Sequence, residues 1–284
     1  MAVAAPQRGL CAAGAEDKQL VAQSKEELQA APNDGRATVG FYRALRQVPA
    51  LSLVRNSLAL IGDLARAKGG QGSATLLDED GTLLLAAHEA KGQKTIIVNF
   101  FTAAASEPVT LTATIDTIDP KLDVAFATVD AKGLAARGIK PINWGSADAV
   151  VIEQQKFVIA GYALGRPLLH AALVVVQSYE DHAAAEMFSG VELSRARQCK
   201  LVTRGVGHFG MSGGSAIDEG GALAGMVDVI TNAKLATVYL TPMLAIRSAY
   251  VAQYPDRATK ANVTAPRKPM PSECRVGVFQ PWNP

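Results

Sequence analysis

The pattern of apolar and polar positions changes character once along the chain, at Gly69-Gly70-Gln71-Gly72-Ser73. Before it, residues 1 to about 67 are alanine-rich and helix-prone, with Lys18 to Ala30 polar and Val39 to Ala67 more amphipathic around the interruption at Pro49. This reads as a helical or irregular lead-in packed on a following domain, with Leu53 to Ile61 offering a first strand. After the glycines, short apolar runs rich in β-branched residues alternate with turn signals. That is the texture of an all-β barrel or sandwich.

The runs are Ala74 to Leu77, Thr82 to Ala86, Thr95 to Phe101, Val109 to Ile115, Val124 to Val129, Phe157 to Tyr162, His170 to Gln177, Cys199 to Thr203, Ala222 to Thr231 and Ala236 to Leu240. Asp78-Glu79-Asp80-Gly81 and Asp218-Glu219-Gly220-Gly221 suit hairpin turns. Ten short strands predict two small barrels. Thr241-Pro242 followed by Met243 to Val251 predicts a terminal helix with a threonine cap and proline in its first turn. Residues 253–284 carry six prolines and read as a tail that is ordered only where it docks. The expected organisation is an extension over 1–53, a two-barrel domain over 54–252 (about 54–135 and 140–252), and the tail.

Composition narrows the function without assigning it. A chain of 284 residues, 49% hydrophobic and 19% charged, buries a sizeable core without staples. A net charge of +2 makes no electrostatic case for nucleic acid or an anionic membrane. Apolar runs such as Ala171 to Val176 fall short of the ~20 residues of a membrane helix. Cys11, Cys199 and Cys274 form no C-x-x-C pair, so no zinc site or disulfide framework is indicated, and a Cys199–Cys274 bridge is left open. The first residues lack a charged region followed by a long apolar one, so the protein stays inside the cell or the chain is a matured form.

The chemistry concentrates at Gly210-Met211-Ser212-Gly213-Gly214, just ahead of the strand-like Ala222 to Val227. Glycines around a serine let the backbone fold tightly, expose the hydroxyl and aim successive N–H groups at one point, as a nucleophile with an oxyanion hole needs. A serine attacks a carbonyl only if a base takes its proton, and the usual base is a histidine held by a carboxylate. His88, His170, His182 and His208 all precede Ser212. That order excludes an α/β-hydrolase triad, which runs serine, acid, histidine. His88 ends the run Leu83 to Ala87, and Asp123 opens Val124-Ala125-Phe126, although Asp116 and Asp119 are equally acidic neighbours. His182 and Glu186 lie four apart with no third ligand pattern, so a metal site is disfavoured and the two read as an exposed helical pair.

Together these residues resemble the trypsin-like serine peptidases of the chymotrypsin fold, and more closely their bacterial HtrA-type branches. Gly72 to Leu77, Asp80-Gly81 and Leu83 to His88 are similar to the family's first-barrel stretch ending in alanine-histidine. Asp123-Val124-Ala125-Phe126 resembles its acid motif, Gly210 to Gly214 its nucleophile motif, and Gly225-Met226-Val227 the strand that follows. Pro141 to Ser146 and Val158 to Tyr162 resemble the inter-barrel segment and the strand after it. The likeness spans about 54–252. It departs at Leu85, where the family carries threonine, and at Ser215, where proline is usual. No domain of the PDZ kind is legible after it.

The resemblance implies a mostly β fold of two six-stranded antiparallel barrels with the site between them. It implies a serine endopeptidase that acts on polypeptides without cofactor or metal. Ser212 would be the nucleophile, His88 the base, Asp123 its orienting acid, and the N–H groups of Gly210 and Ser212 the oxyanion hole. Met211 stands where zymogen-activated relatives carry an aspartate that pairs with a new N-terminus, so activation by that ion pair is not expected. Val206, six residues before Ser212, replaces the acid of enzymes that cleave after lysine or arginine. A small or aliphatic preference follows, in a pocket lined near Val206, Gly207 and Asp228-Val229-Ile230. His208 is an alternative reader of acidic or amide groups, and Asp228 a rival source of basic preference. A secreted or periplasmic location fits the family, and a cytoplasmic one fits the visible N-terminus. The competing functions are a catalytically degenerate scaffold and an esterase using the same triad.

Overall fold

A computed structural model describes residues 54–64, 72–102, 104–147, 151, 154–165, 167, 169–182, 198–205, 207–218, 220–230, 237–266 and 280–281. Two barrels account for most of them. In the first, β1 (Leu58–Ile61), β2 (Gly72–Leu76), β3 (Thr82–Ala86), β4 (Thr95–Phe100), β5 (Val109–Asp119) and β6 (Val124–Thr128) pair antiparallel in the order β5-β4-β1-β2-β3-β6. Pairing of β5 with β6 closes the ring. The 11 residues of β5 serve both neighbours: the first half pairs β4, and after a register shift between Ile115 and Thr117 the second half continues along β6.

The second barrel runs β10-β11-β12-β9-β8-β7 and closes through β7–β8. Its strands are β7 (Lys156–Tyr162), β8 (Leu169–His182), β9 (Gln198–Arg204), β10 (Ser215–Ile217), β11 (Leu223–Ile230) and β12 (Thr237–Pro242). The predicted fold class is thus observed. The short β10 escapes the hydrophobic pattern because only three residues separate the glycines from the turn at Asp218. Closure removes the free edges that so many short strands would otherwise expose.

Why the apolar runs are continuous rather than alternating follows from three separate cores. Along β3, Leu83 and Leu85 point into the first barrel, whereas Leu84 and Ala86 point into a seam between the barrels. Along β6, Ala125 and Ala127 face inward and Val124 and Phe126 face the seam. β7 does the same from the other side: Phe157 and Ile159 fill the second barrel, and Val158, Ala160 and Tyr162 fill the seam. A strand buried on both faces has no polar side to display.

Helix α2 (Met243–Gln253) lays Met243, Ala245, Ile246, Ala249 and Tyr250 onto that seam, and α3 (Pro255–Lys260) follows it back to the first barrel. The Tyr250 hydroxyl donates to Asp78 Oδ2 (2.6 Å), Tyr254 donates to Asp116 Oδ2 (2.7 Å), and Arg257 donates to Thr82 Oγ1 (2.7 Å). Pro242, not Thr241, is the N-cap of α2, and no side chain caps it. Thr241 instead turns its hydroxyl into the seam. Residues 280–281 form β13, which docks on β5 at Ile118 and Thr117. The 1–53 extension and the Cys199–Cys274 pairing lie outside the described residues and side chains. No described helix is long and apolar enough to cross a membrane.

Arg247 of α2 holds the segment between the barrels. Its guanidinium, 2% exposed, donates to the carbonyls of Trp144 (2.9 Å) and Gly145 (3.0 Å), while Trp144 Nε1 donates to Leu77 O (2.9 Å). Replacing Arg247 by methionine keeps the bulk and strands two carbonyl acceptors. Urea unfolding of the Arg247→Met variant should show a loss of about 2–4 kcal/mol with an unchanged m-value.

Candidate active site

Strand register brings the first two groups together. Ala86 pairs with Val124 across β3 and β6, so the chain leaving β3 runs beside the chain entering β6. Ala87 N donates to Asp123 O (3.0 Å) and His88 N to Asp123 Oδ1 (2.9 Å). His88 does not end the strand. It lies on a one-turn helix, α1 (Ala87–Ala90), which tips its ring back over Asp123. His88 Nδ1 and Asp123 Oδ2 are 2.6 Å apart. Asp123 is fully buried and takes a left-handed backbone conformation, φ +53°, which aspartate tolerates better than most residues. Asp119 instead bonds the N–H groups of Lys121 and Leu122 in the preceding turn, and Asp116 bonds Thr128 and Tyr254, so the neighbouring acids have other work.

The serine arrives from the second barrel, on the loop between β9 and β10. Gly213 N donates to Val227 O (2.7 Å) and Val227 N to Gly214 O (2.8 Å), fixing the loop to β11. β2 of the first barrel fixes its other side. Ser73 N donates to Ser212 O (2.7 Å), Ser73 Oγ to Gly210 O (2.8 Å) and Thr75 Oγ1 to Gly213 O (3.2 Å). Ser215, the departure from the family pattern, shares a hydrogen bond with Thr75 (2.8 Å). Gly213 has φ +81°, and a Cβ there would lie 2.0 Å from Ser73 O, so only glycine permits this approach. Met211 is buried among Phe157, Ile159, Val174 and Leu201 of the second barrel. Among the described residues the N–H groups of Gly210 and Ser212 donate to no backbone carbonyl.

The hydroxyl of Ser212 donates to the main-chain oxygen of Asp228 (2.8 Å), and no hydrogen bond joins it to His88. The outer nitrogen of His88, Nε2, lies 3.4 Å from Glu89 Oε1. His88 is therefore flanked by two carboxylates. Burial opposes its charged form, but hydrogen bonds to Asp123 and then Glu89 outweigh that and raise its pKa to about 11. Burial likewise pushes the Asp123 carboxyl up, yet its bond to the imidazole prevails and holds it at about 2.

Sequence reasoning did not anticipate Glu89, Ser73, Thr75 or Lys200. Lys200, on β9, is 2% exposed; its ammonium donates to Leu122 O (2.9 Å) and Thr241 Oγ1 (2.8 Å) and ion-pairs with Asp228. A lysine inside the strand-like run Cys199 to Thr203 was the available signal. His88, Asp123 and Asp228 each bring a ligand-type atom within 4.8 Å of one another. Asp228 is wholly buried with Lys200, so it does not offer its carboxylate to an open pocket. Gly207 is buried, and His208 packs edge-on to His170 at 5.6 Å, its pKa lowered by burial. Val206 and the side chains of Val229 and Ile230 lie outside the described set. So do Glu186 and the side chain of His182, whose backbone ends strand β8 and not the expected helix.

The profile of the family described as "Trypsin-like peptidase domain" matches residues 72–226. No curated relative is detectable from the sequence. Among solved structures, the chain is similar to Rv3671c from M. tuberculosis H37Rv in an inactive form, at 18% identity and TM-score 0.53, covering 79% of this chain and 96% of that one. It is similar to Deg5 at 17% identity and TM-score 0.57, covering 75% and 96%. With the HtrA-type protease AlgW, determined with a decapeptide, the identity is 17%, the TM-score 0.52 and the coverage 69% and 65%. At these identities the likeness is one of fold.

NMR titration of the His88 imidazole should give a midpoint several units above the ordinary 6.5, toward about 11. Glu89→Gln removes one of the two flanking negative charges that favour the charged form and should lower that midpoint.

Proposed function

We propose, of a chain that belongs to the trypsin-like peptidase domain family, that it is a serine endopeptidase working through Ser212, His88 and Asp123. The observation that carries this reading is the bond of His88 Nδ1 to a buried Asp123 carboxylate at 2.6 Å, beside a serine loop tied to the same barrel by Ser73. That bond sets the tautomer and stabilises the imidazolium that forms when Nε2 accepts a proton.

The reaction then follows in balanced steps. Ser212 turns from the Asp228 carbonyl toward Nε2, its proton passes to His88, and its oxygen bonds the peptide carbonyl carbon. The N–H groups of Gly210 and Ser212 receive the developing oxyanion; one such donor contributes ~10²–10³ in rate. The C–N bond breaks as His88 gives its proton to the leaving amine. Water, deprotonated by His88, releases the acid and restores Ser212. The substrate is a polypeptide. With Asp228 committed to Lys200, a small or aliphatic residue is the proposed preference beside the scissile bond.

A second reading, a non-catalytic scaffold, is favoured by the orientation of the Ser212 hydroxyl onto Asp228 and by the two carboxylates around His88. The two separate cleanly. Under the peptidase reading a fluorophosphonate probe labels the protein, Ser212→Ala abolishes labelling, and Asp123→Asn slows it by about 10⁴. No labelling of the parent protein even when the pH is raised to about 11, where a large share of His88 is neutral, would establish the scaffold. Turnover of casein against that of a simple ester divides peptidase from esterase.

The pH dependence has a definite sign. A base must be neutral, and the folded-state pKa of His88 is raised, so kcat/KM should climb as pH rises and its acid limb should lie above 6.5. Glu89→Gln should move that limb toward lower pH.

A further inference from the structure

Lys200 is a buried cation beside the site to which the proposed chemistry gives no role. It comes from β9 of the second barrel, yet its ammonium reaches the carbonyl of Leu122, the residue before Asp123 in the first. Its other partners are Thr241 Oγ1, at the end of β12, and the Asp228 carboxylate. Thr241 Oγ1 in turn donates to the same Leu122 oxygen at 3.3 Å. One ammonium therefore converges on the turn that presents Asp123, on β12, and on the residue whose main-chain oxygen holds the Ser212 hydroxyl.

Charge makes the position more than a tether. Asp123 and Asp228 are both fully buried, with carboxylate oxygens within 4.8 Å. Two carboxylates that close cannot share a dry site at full charge unless cations balance them. The groups facing the cluster are His88 from α1, Asp123 from the turn before β6, Asp228 from β11 and Lys200 from β9, with Glu89 on the outer edge of His88. Burial pushes the Asp228 carboxyl up to about 8, Asp123 adds to the rise and Lys200 opposes it. The backbone at Asp123 adds a conformational reason: φ +53° is a sparsely populated region that persists where the surroundings hold it, and Leu122 O is where Lys200 holds it.

Resting on the peptidase reading, we propose that Lys200 is a positioning residue: it fixes the Leu122-Asp123 turn and balances Asp228, so that Asp123 stays ionised and aimed at His88. It touches neither substrate nor the reacting atoms. It acts through Asp123, and through Asp228 on the starting orientation of Ser212.

The test uses the full chain and the paired change Lys200→Met/Asp228→Asn. Replacing a buried ion pair by neutral groups of similar size is commonly tolerated, so this variant should fold. Two readouts follow: the far-downfield proton NMR signal of the His88 Nδ1–H held by Asp123, and the rate of fluorophosphonate labelling. The signal should shift upfield and labelling should slow by roughly 10- to 10²-fold, the scale expected when a remote change displaces a catalytic group. Lys200→Met alone, which leaves Asp228 without its cation, should lose more than the pair, with a coupling that additive structural damage does not produce.

A paired variant with the parent's signal and rate would overturn the proposal, as would one that fails to fold, since Lys200 would then be a stability residue. A displaced signal in a protein whose parent form takes up no probe would support the positioning role and overturn the peptidase reading instead.

Discussion

The seam between the barrels rests on a polar contact inside an apolar one. Ser73 and Thr75 of β2 are wholly buried, and their hydroxyls find their partners across the seam, at Gly210, Gly213, Ser215 and Tyr162. The surrounding leucines, alanines and aromatics supply attraction, but hydrophobic burial is non-directional and tolerates sliding. Buried hydroxyls do not, because each one left unpaired costs about 1–3 kcal/mol. Ser73 is bonded at both its N–H and its hydroxyl, and the hydroxyl also accepts the N–H of Tyr162 (2.8 Å). The barrels are therefore fixed in one register, and the serine loop is part of what fixes them.

That register decides where charge can be buried. His88 and Asp123 belong to the first barrel, Lys200 and Asp228 to the second, and they meet where the Leu122-Asp123 turn reaches Lys200 and Asp228 across the seam. Each pair alone would carry a large desolvation penalty in an apolar interface. Side by side they run ammonium, carboxyl, carboxyl and imidazole, so each of the two central acids has a basic group on its outer side. The cluster and the Ser73 stitches are thus interdependent.

Much of this was legible in order along the chain, and the reasons differ from piece to piece. The fold showed because strands buried on both faces read as unbroken apolar runs, with turns such as Asp80-Gly81 between them. His88 and Asp123 showed because one sits two residues after such a run and the other just before the next, where pairing of Ala86 with Val124 is almost forced to join them. Lys200 and Glu89 did not show. Their roles depend on contacts between residues 41 to 78 positions apart, or on which way a one-turn helix tips, and no local pattern encodes either. Thr241 misled for a related reason. Its side chain suits a helix cap, but a buried ammonium at 2.8 Å competes for the same hydroxyl and wins.

Met211 is where the pattern of the sequence and the physics of the seam agree most usefully. An aspartate before the nucleophile needs a cation to be buried beside it, and the loop's order then depends on when that cation arrives. A methionine needs only a cavity. Here it fills one lined by Phe157, Ile159, Val174 and Leu201, residues of three strands of the second barrel. Its burial is gained as that barrel forms, and an apolar contact carries no charge for pH or salt to titrate or screen. The loop bearing Ser212 is therefore anchored on one side by the core of the second barrel and on the other by Ser73 of the first. Its shape is a consequence of folding itself, so the peptidase reading asks only for the loss of a proton from His88 and the rotation of one hydroxyl.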